Sequence, residues 1–240
     1  MLKLFLVSLS IFVSFNPANA QPPKNAQIVY QQGIAFMGKE QYPDAMASFF
    51  KALAFYENYD SAYFQMAEIN VKFNSIDTAI SFYKKALAIN PNYLQTLINL
   101  AAVYKNFKSD VITGLGYYLR ALAIDSTNKE TLYYTAWCYN SLKDYDNAIR
   151  YAVRALAIDN NYRIVYGELG YAYHLSGKFA EGVEQFKKNI AISKNDLPIY
   201  YCGLCYVELK DKVGATSMYD ELIKMSPKLA DLLKKKIDEL

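Results

Sequence analysis

One phrase returns along the chain: Lys51-Ala-Leu-Ala-Phe, Lys85-Ala-Leu-Ala-Ile, Arg120-Ala-Leu-Ala-Ile, Arg154-Ala-Leu-Ala-Ile and a worn Lys188-Asn-Ile-Ala-Ile. The spacings are 34, 35, 34 and 34 residues. A fixed period of this length means that one supersecondary unit is copied along the chain. Within each copy apolar positions return every three or four residues, the spacing of a helix with one buried face. Two such stretches per period predict a helix–turn–helix pair. In the first helix the core stripe falls at positions 4, 7, 8 and 11 of the repeat. Positions 2, 5, 9 and 12 lie about 100° round the helix and face an inner surface.

Two columns of small residues run through the copies. Late in the first helix stand Gly33, Ala67, Ala101, Ala136, Gly170 and Gly203; early in the second stand Ala45, Ala79, Gly114, Ala148, Gly182 and Ala215. Antiparallel helices approach to about 8–10 Å only where side chains are small. Aromatic residues follow at helical spacing, among them Phe36, Tyr104, Tyr139, Tyr173 and Tyr206 after the first column and Phe49, Tyr83, Tyr118, Phe186 and Tyr219 after the second. Pro91 and Pro227 end second helices. In these residues the chain resembles the tetratricopeptide-repeat family over residues 26–228. The resemblance implies an all-α, right-handed α–α solenoid of six repeats: 26–59, 60–93, 94–128, 129–162, 163–195 and 196–228. Residues 229–240 are expected to cap it, with Leu229, Leu232, Leu233, Ile237 and Leu240 on one stripe. Repeat three carries a one-residue insertion in its turn, near Lys108. Ala52, Ala86, Ala121 and Ala155 stand where repeats meet, but Asn189 and Leu222 replace them in the last two copies, which predicts altered packing there.

A stack of this kind binds through its inner surface. The inner positions of this chain are aromatic and apolar with little charge. The candidate partner-binding residues are Tyr30, Ile34, Phe64, Glu68, Ile98, Tyr133, Trp137, Asn140, Tyr171, His174 and Tyr200. Tyr30, Phe64, Tyr133, Trp137, Tyr171 and Tyr200 are expected to form a partly exposed row, which would mark an interaction site. Chaperone-binding members of the family hold an acidic C-terminus with Lys, Asn and Arg on this face. Here Tyr30, Ile34, Phe64 and Glu68 occupy those positions, so an apolar or aromatic segment of a protein partner is expected instead. A second copy of the chain, or the segment 21–25, is an alternative occupant of the groove.

Composition narrows the function further. The 26 basic and 23 acidic side chains nearly balance, leaving no electrostatic footprint for nucleic acid. One histidine among 240 residues, no Gly-rich phosphate loop, no G-x-S-x-G and no zinc spacing leave no catalytic, metal or cofactor site in view. Cys202 and Cys205 make a C-x-x-C, but they fall mid-helix at core positions, as Cys138 does, and read as buried side chains rather than a redox pair.

Residues 1–20 carry Lys3, an apolar run of about 12 residues and a small-residue ending at Ala20, the layout of a cleaved secretory signal peptide. Cleavage would start the mature chain at Gln21 with no membrane-spanning segment. The tail Ile237-Asp238-Glu239-Leu240 resembles a worn endoplasmic-reticulum retention signal but carries Ile where Lys or His belongs. The expected function is a non-enzymatic adaptor of a bacterial cell envelope, periplasmic or secreted. The alternatives are a lumenal or periplasmic co-chaperone that holds unfolded chains, and a C-x-x-C thiol oxidoreductase.

Overall fold

The computed structural model describes residues 21–240; residues 1–20, where the signal peptide is expected, lie outside the described residues. Among the described residues the chain forms thirteen α-helices and no strand. It is an all-α helical-repeat solenoid. Two compact units divide it at Pro91. The first holds α1 (Lys24–Gly38), α2 (Tyr42–Phe55), α3 (Asp60–Lys72) and α4 (Ile76–Ile89). The second holds α5 (Leu94–Phe107), α6 (Val111–Ile124), α7 (Lys129–Ser141), α8 (Tyr145–Ile158), α9 (Arg163–Leu175), α10 (Phe179–Ile192), α11 (Asp196–Glu208), α12 (Lys212–Leu222) and α13 (Pro227–Asp238).

Each odd-numbered helix up to α11 packs most extensively on the even one that follows it. The small residues explain why. Phe49 lies so close over Gly33 that a Cβ there would come within 2.6 Å of its ring, and Phe186 covers Gly170 at 2.8 Å in the same way. Gly114 faces the Ala101 carbonyl, 3.0 Å from where a Cβ would stand. Ala45, Ala79, Ala148 and Ala215 are fully buried at the equivalent positions.

The turn inside each pair is built one way six times. Glu40, Asn74, Ser109, Lys143, Gly177 and Lys210 all take the left-handed conformation, with φ between 53° and 77°. In five of the six turns, the N–H of the next residue returns to a carbonyl five residues back, as Asp144 does to Tyr139 and Asp211 to Tyr206. This is the helix-ending Schellman arrangement, which satisfies carbonyls the helix leaves open. In the third repeat the bond runs six residues back, from Asp110 to Tyr104, and so takes up the inserted residue. Aspartates then start the second helices: Asp110, Asp144 and Asp211 accept from the backbone N–H of Thr113, Asn147 and Gly214. Those N–H bonds also hold the Asp110 carboxyl below the usual carboxylate range.

At the C-terminal end α13 closes the second unit by packing on α11 and α12. Leu233 is fully buried above Gly203, 2.4 Å from where a Cβ would stand, and Ala230 and Ile237 complete the seam. The expected stripe is corrected here: Leu232 and Leu240 are exposed, because α13 meets α11 and α12 along the line of Ala230, Leu233 and Ile237. Leu222, in place of the inter-repeat alanine, is buried in this same cluster.

Candidate partner-binding cavity

The first helices of the last three repeats, α7, α9 and α11, bring their inner positions to one face. At position 5 of the repeat, α7 presents Tyr133 and α11 presents Tyr200; α9 presents Gly167. The other inner side chains at this position are Tyr30, Phe64 and Ile98, so the fifth repeat alone lacks a large one. Behind Gly167, on α10, stands Asn189, where the first four repeats carry alanine. A Cβ on Gly167 would lie 3.2 Å from the Asn189 Nδ2, so the missing side chain makes room for the amide. The space left is a cavity of about 790 Å³. That falls inside the range of about 300–1,000 Å³ usual for binding sites. Tyr133 and Trp137 form one wall and Tyr171, Leu197 and Tyr201 the other, with Phe186 and Asn189 contributing from α10.

Ser141, Lys143, Arg163 and Asn195 also line the cavity, beside the more deeply buried Asn140, Glu168 and Asn189. Asn140 is 6% exposed; its Nδ2 donates to the Glu168 carbonyl at 3.0 Å and to Glu168 Oε2 at 2.9 Å. Asn189 is 4% exposed, and its Nδ2 donates to the Arg163 carbonyl at 3.0 Å. The Oδ1 atoms of both amides are buried and accept no hydrogen bond from the described residues. Burial pushes the Glu168 carboxyl above its usual range, against the opposing pull of the Asn140 bond and the Lys105 charge. Lys105 reaches from α5 to lie over the Trp137 ring at 4.4 Å, and burial lowers its ammonium pKa. Burial likewise raises the Tyr133 hydroxyl, with the nearby Glu168 charge adding to it.

Residues 60–93 and 130–156 each match a family model described as tetratricopeptide repeat. This is a tetratricopeptide-repeat protein. The photosystem I assembly protein Ycf3 of Cyanophora paradoxa is 28% identical to it over 105 residues, which cover 42% of this chain and 60% of that relative. The chain thus spans only about three fifths of the length of the curated relative. PilW, described as a widely conserved type IV pilus biogenesis factor, has a similar structure, with a TM-score of 0.67, 19% identity and coverage of 88% of this chain and 99% of PilW. YrrB, described as a tetratricopeptide-repeat protein with an unusual peptide-binding site, gives 0.71, 22%, 78% and 97%. These two likenesses show the fold.

In this tetratricopeptide-repeat protein the cavity gathers four of the residues singled out in the sequence: Tyr133, Trp137, Asn140 and Tyr171. Asn140 sits there as a buried amide rather than an open groove side chain, because it spans to Glu168 of the next repeat. The same position does the same work elsewhere in the second unit. Lys105 reaches Tyr134 of the following repeat at 5.3 Å, and His174 reaches Tyr201 at 5.6 Å. His174 therefore lies outside the cavity, its Nδ1 3.5 Å from Cys205 Sγ. Tyr200 packs edge-on against Tyr201 and does not line the cavity, and Ile98 packs on the cluster around Tyr118. In the first unit Tyr30 lies half-buried against Tyr59 and Phe49, and Ile34 joins the same cluster. The expectation of a partly exposed Phe64 is corrected: at 8% exposure it is core, packed on Tyr83, whose hydroxyl bonds Glu68.

The cavity also draws on Glu168, Asn189, Tyr201 and the gap at Gly167, which the repeat pattern does not single out as a site. Gly167 breaks the position-5 column and Asn189, like Leu222, breaks the alanine column, but the sequence does not show that Gly167 and Asn189 meet in space. Cys138, Cys202 and Cys205 are fully buried free thiols, each pushed up to about 12 by burial. Among the described residues no cluster of three or more His, Cys, Asp or Glu could hold a metal, and no helix is long and apolar enough to cross a membrane.

Proposed function

We propose that this chain is a non-catalytic adaptor that holds an extended segment of a protein partner against the α7–α9–α11 face. The observation that carries the proposal is the cavity at Gly167, walled by Trp137, Tyr133 and Tyr171. Large rings at the edge of a desolvated pocket are the side chains that dominate interface energetics, at about 2 kcal/mol or more for a hot spot. The family supports the class of function, and the described peptide-binding site of YrrB supports a peptide as the form of the partner. Placement in a bacterial cell envelope rests on the signal-peptide layout of residues 1–20 and agrees with the description of PilW as a pilus biogenesis factor.

The test fills the cavity without disturbing the repeat. Gly167→Tyr with Asn189→Ala installs the residue pair that the fourth repeat carries as Tyr133 and Ala155. Native and filled proteins, both shown to be helical by circular dichroism, serve as baits in native envelope extract. A partner kept by the native bait and lost by the filled one is the expected result. Equal recovery by both would remove the cavity as the site. Export has its own check: intact mass of the protein recovered from the envelope fraction should begin at Gln21, and a mass including Met1 to Ala20 would overturn cleavage.

A further inference from the structure

Resting on that reading, we infer that the Gly167 cavity takes one cationic side chain, a lysine or arginine of the partner segment, and that the carboxylate of Glu168 receives it. Glu168 is the only acidic side chain among the described residues that line the cavity. Its Oε2 accepts from Asn140 Nδ2 at 2.9 Å, and no lysine or arginine among the described residues comes within ion-pair distance of it. Its Oε1 accepts no hydrogen bond from the described residues and, unlike the sealed Oδ1 atoms of Asn140 and Asn189, keeps accessible surface. A carboxylate drawn out of water without a counter-charge is costly, and such groups are ordinarily paired. The raised pKa of Glu168 is the mark of that cost, since burial opposes the charge and Asn140 and Lys105 offset it only in part. An incoming cation supplies what is missing.

The walls suit the same occupant. Trp137, Tyr133, Tyr171 and Tyr201 are rings, and a cation over the face of such a ring is attracted to it, over tryptophan most strongly. The molecule already uses Trp137 in this way: Lys105 lies over its ring at 4.4 Å without lining the cavity. The cations of the cavity lining do not fill the role. Lys143 is exposed on the turn after α7, and Arg163 donates to the Asn195 side chain at 2.9 Å. Water and salt screen an exposed charge such as Lys143, whereas a carboxylate among rings acts at low dielectric and dominates inside the cavity. An acidic occupant would meet that carboxylate, and an uncharged one would leave it unpaired.

Trp137 is the only tryptophan in the chain, so its indole N–H gives one signal from the cavity wall. Nuclear magnetic resonance of the protein labelled at the indole nitrogen follows that signal during titration with n-butylguanidinium, n-butylammonium, 1-butanol and butyrate. Saturable shifts are expected with at least one of the two cations, which should bind about tenfold or more tightly than 1-butanol, the worth of one charge-assisted hydrogen bond. Glu168→Gln keeps the size of the side chain and an acceptor for Asn140, and should abolish that preference. Gly167→Tyr/Asn189→Ala should abolish binding of all four. No saturable shift with either cation, a cation bound no more tightly than 1-butanol, or tighter binding of butyrate would overturn the cationic occupant. A preference unchanged in Glu168→Gln would overturn the assigned carboxylate. In the capture experiment a Glu168→Gln bait should lose the partner as the filled bait does. A partner kept by Glu168→Gln and lost by the filled bait overturns this inference alone; capture by both removes the cavity reading beneath it.

Discussion

Lys210 sits in the left-handed region with φ of 58°, a conformation that costs a residue with a Cβ about 1–2 kcal/mol. Gly177 holds the same place in the fifth repeat. Lys210→Gly should relieve that strain, offset in part by the freer unfolded chain, for a net gain of about 0.5 kcal/mol. Urea denaturation checks it; an unchanged or lower midpoint would show the turn to be unstrained. The thiols make a second residue-scale prediction. Burial holds Cys138, Cys202 and Cys205 as neutral thiols with values pushed up to about 12, against about 9 when unfolded. In the window between those values the unfolded chain has lost protons that the native chain keeps, so stability falls as pH rises from about 9 towards 12 and is indifferent to these groups below it. Native protein at neutral pH should therefore leave all three unlabelled by a thiol reagent, and rapid labelling would contradict their burial. A C-x-x-C redox function sits badly with that chemistry, since the thiolate is the nucleophile.

At the scale of the helix, caps and seams decide local stability. Asp144 starts α8 by accepting from the Asn147 N–H, so Asp144→Ala should cost about 1 kcal/mol, read as a lower urea midpoint with an unchanged slope. Helix α13 depends on Leu233, whose side chain covers Gly203 as Phe49 covers Gly33 and Phe186 covers Gly170. Leu233→Ala should cost about 2–5 kcal/mol, the usual loss for a buried leucine. Because Leu233 shares a cluster with Cys202 and Cys205, the same variant should label those two thiols before Cys138, which lies in a separate cluster. Simultaneous labelling of all three would mean that the C-terminal repeat does not open by itself. The columns of Gly33, Ala67, Ala101, Ala136, Gly170 and Gly203 show why elements were legible in the sequence. A helix pair needs a small residue on each helix where the two approach, and those places recur at the repeat length. Of the expected α13 stripe Leu233 and Ile237 are buried while Leu232 and Leu240 are exposed, because an apolar stripe by itself does not say which of its edges meets a neighbour.

At the scale of the whole molecule, a repeat stack is held by contacts between neighbours, and its surface features come from where copies differ. Residue type and spacing determined the all-α class, the repeat period, the inserted residue of the third turn and the inner face, since all of these follow from local geometry repeated along the chain. The same arithmetic named Tyr133, Trp137, Asn140 and Tyr171, which the fold gathers at one cavity. What tertiary structure alone decided was which inner side chains stay open. Phe64 is sealed by Tyr83, His174 is drawn to Cys205 and Tyr201, and Asn140 is tied to Glu168, each through a residue of another helix. Gly167 and Asn189 are 22 positions apart in sequence and look like two separate lapses of a pattern. Only the packing of α9 on α10 makes them one feature, because the space a missing side chain leaves is shaped by whatever the fold places opposite it.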